Sequence, residues 1–266
     1  LTGVGVTFPV LMFISAFASL IGMGGAPRAS VKLGEKNNAE AERIMGNCMA
    51  ALLVLAVILT AAFLALGEPL LYLFGASDET IGYALTYMNI YVCGNIFVLP
   101  ALGMNPFISA QGFARTGMLT VLIGAVVNIV LDPIFIYVFH RGVAGAAIAT
   151  IASQLLSAVL VMGCLMKTTD LYRLEWKMVR IDRRMLQRII RIGLPAGMQS
   201  VMYNISNVII QTGVNALGTD PVTAWATYGK VDGLFWMIIN ALGIAVTTFV
   251  GQNYGAGRLD RVRRGT

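Results

Sequence analysis

Residues 44–67 read IMGNCMAALLVLAVILTAAFLALG, 24 consecutive residues without a charged side chain. A helix needs about 20 apolar residues to cross a hydrocarbon layer roughly 30 Å thick. Backbone polar groups in lipid find no water, so they must pair within the segment, and an apolar run of this length is a transmembrane helix. A barrel strand would be about 10 residues long and would alternate in polarity. This run does not alternate.

The same pattern recurs on both sides of it. Residues 1–27, 80–114, 142–166 and 192–219 are also free of charge. Residues 116–139 carry only Asp132, and residues 221–257 carry only Lys230 and Asp232. The chain of 266 residues is 57% hydrophobic and 12% charged, against about 25% charged in an ordinary soluble domain. These runs predict an all-α membrane protein, a polytopic helical bundle with seven spans near 1–25, 44–72, 82–108, 117–139, 143–166, 192–217 and 222–250. The first run has no basic start and no small-residue cleavage site, so it is not a signal peptide.

Basic residues favour cytoplasmic loops. Alternate connections hold Arg28, Lys32, Lys36 and Arg43; Arg115; Lys167, Arg173, Lys177, Arg180, Arg183, Arg184, Arg188 and Arg191; and Arg258, Arg261, Arg263 and Arg264. The opposite connections hold Arg141 alone, a ratio of 17 to 1. The loops at 28–43, 109–116, 167–191 and 251–266 are therefore expected on the cytoplasmic side of a plasma membrane. The net charge of +6 reflects this topology and contact with anionic lipid, not nucleic-acid binding. Residues 167–191 form the longest connection, with an amphipathic stretch over 181–190 suited to the membrane surface.

A weak internal repeat flanks this connector. Leu33-Gly34-Glu35-Lys36 and Tyr254-Gly255-Ala256-Gly257 each follow a span and precede a charged helix start, at an offset of 221. Both copies lie on the same side, which implies a parallel repeat about an axis along the membrane normal. The sequence opens inside an apolar run without an initiator Met. It is expected to be a piece lacking one span before Leu1 and about four after Thr266.

The most informative local feature is Asn128-Ile-Val-Leu-Asp132-Pro133. An acid at membrane depth costs at least a few kcal/mol and usually marks an ion or substrate path. Asn128 lies four residues earlier, on the same helix face, and can donate to the carboxylate. Pro133 removes a backbone donor and can open the helix locally; Asp132 serving only that opening is the plainer reading.

Here the sequence resembles a known family. NIVLDPIFI (128–136) followed by GVAGAAIAT (142–150) looks like the signature of MATE transporters. IGLPAG (192–197) resembles the start of their seventh helix, and FVGQNYGAG (249–257) the end of their eighth. The resemblance implies a fragment of a twelve-helix, two-lobe transporter, helices two to eight. Residues 1–166 would be five helices of the N-terminal lobe, 167–191 the basic connector, and 192–266 the start of the C-terminal lobe. It further implies export of cationic amphipathic compounds coupled to inward H+ or Na+. The cation-coupling cluster would be Asp132, Asn128, Thr150, Tyr87 and Asn105. Thr150 bonding its own helix, Tyr87 anchoring at the interface and Asn105 serving a proline kink are the competing structural readings. Lys230 and Asp232 are candidates for the cavity, although two residues apart they do not face each other. Some members carry a Glu eight residues after the proline of the seventh helix; here that position is Tyr203.

Enzyme chemistry finds no support. One His excludes an HExxH zinc site, and neither a GxSxG elbow nor a Walker loop occurs. Cys48, Cys93 and Cys164 lie in different spans without metal or redox spacing. The expectations are therefore no metal, no cofactor beyond the transported ion, no nucleic acid, a lipid bilayer around a chain monomeric when full length, and a small-molecule substrate. A flippase for lipid-linked precursors is the nearest rival. It would show a more cationic cavity than one membrane-embedded base, Lys230, provides.

Overall fold

The computed structural model describes residues 2–168, 171–215 and 218–265, and among them there is no strand. The helices are α1 (Thr2–Gly5), α2 (Phe8–Gly34), α3 (Asn38–Leu73), α4 (Ile81–Cys93), α5 (Asn95–Ala110), α6 (Ala114–Pro133), α7 (Gly142–Lys167), α8 (Arg183–Asn215), α9 (Thr219–Gly255) and α10 (Leu259–Gly265). A π turn, Ile134–Val138, prolongs α6 just past Pro133, where the missing proline donor loosens the ladder. The protein is an all-α membrane protein. Among the described residues α2, α3, α6 with its π turn, α7, and α9 from Thr227 onward are each long and apolar enough to cross a bilayer.

Three sequence expectations need correction. The span at 82–108 is broken: α4 and α5 meet at Gly94 with a bend of 60°. The break frees the Val92 carbonyl, which accepts from the Thr60 hydroxyl of α3 at 2.8 Å, and Asn95 donates to that hydroxyl at 3.4 Å. Secondly, α8 runs the length of the seventh expected span, as a helix of 33 residues, but it is less apolar than the others, so by length and composition alone the described residues give at most six crossings. Gln199, Tyr203, Asn207 and Gln211 recur every fourth residue along it, and that spacing gives one face a polar stripe. Thirdly, the loop expected at 28–43 is mostly helix. Its turn is only residues 35–37, because Asn37 caps α3 by accepting from the Glu40 backbone N–H at 3.1 Å. Lys32 bridges the turn to Glu35 at 2.8 Å and Glu40 at 3.1 Å.

The connector is not a surface strap throughout. Tyr172 is fully buried, its hydroxyl donating to the Phe107 carbonyl at 3.3 Å while its own carbonyl accepts from Gln111 Nε2 at 2.7 Å. Burial pushes its phenol above the usual range, so it remains a neutral donor. Within the stretch 181–190, Ile181 is exposed, but Ile189 is buried where its carbonyl meets Gly24 of α2. This region enters the helical packing and does not simply lie on the membrane.

Helix α2 is the central element. It packs on α3 and α5 along one side and on α8 and α9 along the other. Ile14, Ile21, Ile44, Met45, Leu52, Leu99, Met104 and Phe107 fill the first of these interfaces. The outer surface of α6 leaves Met118, Val121, Leu122, Ile129 and Val130 exposed, as a helix facing lipid does.

Candidate functional site

A cavity of about 240 Å³ lies between α5, α6 and α7. Its polar wall consists of Thr120 and Asn128 from α6 and Thr150, Ser153, Gln154 and Ser157 from α7. Helices α6 and α7 come this close because Gly124 has no side chain: a Cβ there would collide with the Ser157 hydroxyl. Several polar groups are already occupied. Thr150 donates to Ala146 O at 2.9 Å and Ser153 to Thr150 O at 2.8 Å, while Ser157 reaches across to Thr120 O at 3.4 Å. Their oxygens keep acceptor capacity toward the cavity.

Two of the sequence candidates, Asn128 and Thr150, line this cavity together. Asp132 stands one turn farther along α6, joined to it by the Asn128 amide at 3.4 Å. Asn105 does not line it. Its Nδ2 donates to Gly117 O and to Thr120 Oγ1, both at 2.9 Å. Thr120 in turn donates to Gly117 O at 2.7 Å. Asn105 therefore ties α5 to the first turn of α6. Tyr87 is buried on α4, stacked at 6.3 Å on Tyr91, and is likewise not in the lining. The polar lining residues that sequence reasoning missed are Thr120 of α6 and Ser153, Gln154 and Ser157 of α7. With Thr150 the three on α7 stand at i, i+3, i+4 and i+7, a polar stripe on an otherwise apolar helix, and that spacing was readable.

A second cavity, of about 390 Å³, separates α2 and α5 from α8 and α9. Its walls are mostly apolar, with Ser30, Asn240, Thr247 and Thr248 as the polar groups. Lys230 and Asp232 are not in this wall; the α9 face that forms it begins at Ile239. Asp232 instead accepts from Tyr228, one turn earlier, at 3.3 Å. Tyr203 packs edge-on against Trp236 with ring centroids 5.0 Å apart, holding α8 to α9.

One end of this cleft is sealed by backbone-to-backbone contact. Gly34 of α2 presses on the Gln252 carbonyl, and Gly255 of α9 presses on the Val31 carbonyl. The two contacts are reciprocal: Gly34 and Gly255 are 221 apart in sequence, and so are Val31 and Gln252. Ser30 and Gly251, again 221 apart, meet each other, with a Cβ on Gly251 falling 2.9 Å from the Ser30 Cβ. Gln252 Nε2 adds a bond to Ala110 O at 2.8 Å. Farther back along α2, beyond the residues that line the cleft, Gly193 of α8 abuts the Leu20 carbonyl.

The family model described as MatE matches residues 1–134 and 195–265, on both sides of the connector. The chain belongs to the MatE family. Residues of this MatE chain align over 264 positions with a probable multidrug resistance protein, YoeA, of Bacillus subtilis (strain 168), at 24% identity, covering 97% of this chain and 57% of the relative. The multidrug export protein MepA of Staphylococcus haemolyticus (strain JCSC1435) is 24% identical over 254 residues, 96% of this chain and 56% of MepA. The crystal structure of MATE in the bent conformation superposes with a TM-score of 0.89 at 26% identity, over 98% of this chain and 59% of that one. The chain thus spans a little under three fifths of these relatives.

The geometry separates packing from cavity roles within this MatE chain. Asn105→Ala removes two hydrogen bonds at a helix junction, each worth about 1 kcal/mol net. We expect a lower unfolding temperature of the full-length protein in detergent, with the pH profile of any efflux unchanged. A displaced pH profile would return Asn105 to the titrating cluster.

Proposed function

We propose that the full-length protein is an antiporter that exports cationic amphipathic compounds against inward H+ or Na+ flow, by alternating access between two lobes. The observation that carries this reading is the polar cavity of α6 and α7 coupled through Asn128 to Asp132, the sole formal charge of its span. An acid kept at that depth carries a substantial desolvation cost and is retained where ions move. Proton uptake by Asp132 removes the charge, changes what Asn128 donates to, and lets the surrounding helices repack. Repacking lowers substrate affinity and releases it outward. No residue pattern here hydrolyses ATP, so the ion gradient is the energy source. YoeA and MepA, whose names refer to multidrug resistance and export, support the substrate class.

In this reading residues 1–166 and 192–266 belong to different lobes joined by 167–191, and the pseudo-twofold axis passes between Ser30 and Gly251. The end closed by Gly34 and Gly255 is the basic, cytoplasmic end. The state described is then closed inward and open outward. The direct test is efflux of a cationic dye from proteoliposomes holding the full-length protein, driven by an imposed pH gradient and separately by a Na+ gradient. A protein that moves dye under neither gradient is not this antiporter.

Sidedness has its own test. In a cysteine-free full-length background, single cysteines replacing Lys36, Arg115 and Arg180 should react with impermeant reagents from the cytoplasm. Those replacing Asp78 and Arg141 should react from outside. Outside labelling at position 180 would reverse the assignment.

A further inference from the structure

On the basic end of the molecule the start of α3, the connector and the first turn of α8 enclose another cavity, of about 490 Å³. Arg43, Lys177, Arg180 and Arg183 line it, with Asp182 the single acid. That acid is committed elsewhere. Its carboxylate accepts from the backbone N–H groups of Arg184 at 2.9 Å and Met185 at 3.1 Å, capping α8. Among the described residues none of the four cations has a carboxylate within ion-pair distance. Four like charges converging on one hollow repel one another, and an anion seated there relieves that repulsion.

The floor of the hollow adds a second requirement. Asn47 is 1% exposed, and its Nδ2 donates to the Asp182 carbonyl at 3.1 Å. Its Oδ1 is buried with no partner, which costs free energy unless a donor arrives. An occupant that satisfies this wall therefore carries an anionic phosphate for the cations and a hydroxyl donor for Asn47. The connector fixes the depth: Ile181 of the lining is 50% exposed, and Trp176, next in sequence to the lining residue Lys177, is 58% exposed. An exposed Trp beside basic residues marks the headgroup level of a bilayer.

We propose that this cavity binds the headgroup of an anionic phospholipid with free hydroxyls, of the phosphatidylglycerol type. Arg43, Lys177, Arg180 and Arg183 hold the phosphate, and Asn47 Oδ1 accepts from the headgroup hydroxyl. The leaflet is the cytoplasmic one, a clause that rests on the sidedness proposed above. Arg43 belongs to α3 and Arg183 to α8, with Gly46 of α3 pressed on the Met178 carbonyl of the connector. A lipid seated here bridges the two halves that the connector joins, and it favours their closed arrangement on this side.

The test uses delipidated full-length protein in neutral detergent, with native mass spectrometry reading bound lipid as phosphatidylglycerol is titrated. Arg180→Gln with Arg183→Gln should lower affinity at least tenfold. Arg261→Gln with Arg264→Gln, the same charge change on α10, should leave it within about twofold. Equal losses in the two pairs would mean diffuse attraction to a basic surface and would overturn the proposal. Lys177→Gln alone, on a turn outside the long helices, should lower affinity severalfold and guards against a folding defect in the pair. Asn47→Leu should erase the preference for phosphatidylglycerol over phosphatidic acid; a retained preference would remove Asn47 from the site. In a parallel arm soluble glycerol phosphate should compete only weakly. If it binds as tightly as the lipid, the site takes a soluble phosphate and the lipid assignment is wrong. Binding is read without efflux, so these outcomes stand apart from those of the export reading.

Discussion

Asp132→Asn will abolish ion-driven efflux by the full-length protein while leaving its expression and unfolding temperature near those of the parent. Asn preserves the shape of the side chain and can still accept from the Asn128 amide, now 3.4 Å from the carboxylate. The substitution therefore tests charge and titration more than packing. One charge moving through 100 mV is worth about 2.3 kcal/mol, which supports roughly a 50-fold substrate gradient per proton. With no titrating group that gradient is lost, and the variant should only equilibrate its substrate. Asn128→Ala should give a milder defect, because it removes a partner of the carboxylate and not the carboxylate. The measurement is dye efflux from proteoliposomes across a series of imposed pH gradients. If Asp132→Asn pumps as well as the parent at every pH, Asp132 serves the proline break and the π turn behind it, and coupling lies in another part of the protein.

How much of this was legible from the sequence differs between levels of structure. The membrane-spanning helices were, because the runs without charge are a first-order consequence of lipid as solvent; of the family motifs, residues 128–134 and 249–257 fall within the match to MatE, while 142–150 falls in the stretch between its two parts. Helix ends were less so. The turn at 35–37 depends on one capping Asn, while Arg28 and Lys32 stay within α2, so a charge does not mark where a helix stops. The break at Gly94 was hidden because its compensation comes from another helix: the Thr60 hydroxyl donates to the freed Val92 carbonyl, and no window of local sequence contains both residues. Burial of Tyr172 escaped for the same reason, since its partners Phe107 and Gln111 are more than sixty residues away.

The candidate site was half legible. Asn128 and Asp132 announce themselves as polar groups one turn apart in an apolar run. Thr150 does so only with Ser153, Gln154 and Ser157, and the four become a site only because Gly124 lets α6 approach. Asn105 shows the opposite case. A polar residue beside a proline in a membrane helix reads as a ligand, but the geometry assigns both of its amide contacts to holding α5 against α6. Lys230 and Asp232 stood out by charge alone, which says nothing about direction; the face of α9 that meets the cleft is the one with Asn240, Thr247 and Thr248.

Replacing Gly255 or Gly34 with Leu will prevent closure of this end, the cytoplasmic one in the proposed reading, and reduce efflux to background. Neither glycine tolerates a Cβ without backbone movement, since each would drive it into a carbonyl oxygen of the opposing helix. A flexible side chain could rotate away from such a clash, but a carbonyl in a helix cannot. Even alanine should weaken closure: overpacking typically costs about 1–3 kcal/mol, a shift of roughly 5- to 150-fold in the balance between closed and open states. Leucine should exceed that range. The reciprocal geometry makes a sharper claim. The Gly34 contact with Gln252 and the Gly255 contact with Val31 are the same contact repeated by the 221-residue offset, so the two single variants should have matching defects. Their combination should add little, because either one alone already holds the seam apart. Ser30, 1% exposed at the centre of the seam, is the reporter. A cysteine placed there in a cysteine-free full-length background should resist impermeant thiol reagents from the cytoplasm in the parent and react readily in both glycine variants. Position 30 staying protected in Gly255→Leu, with transport intact, would show that these helices do not form the inner gate.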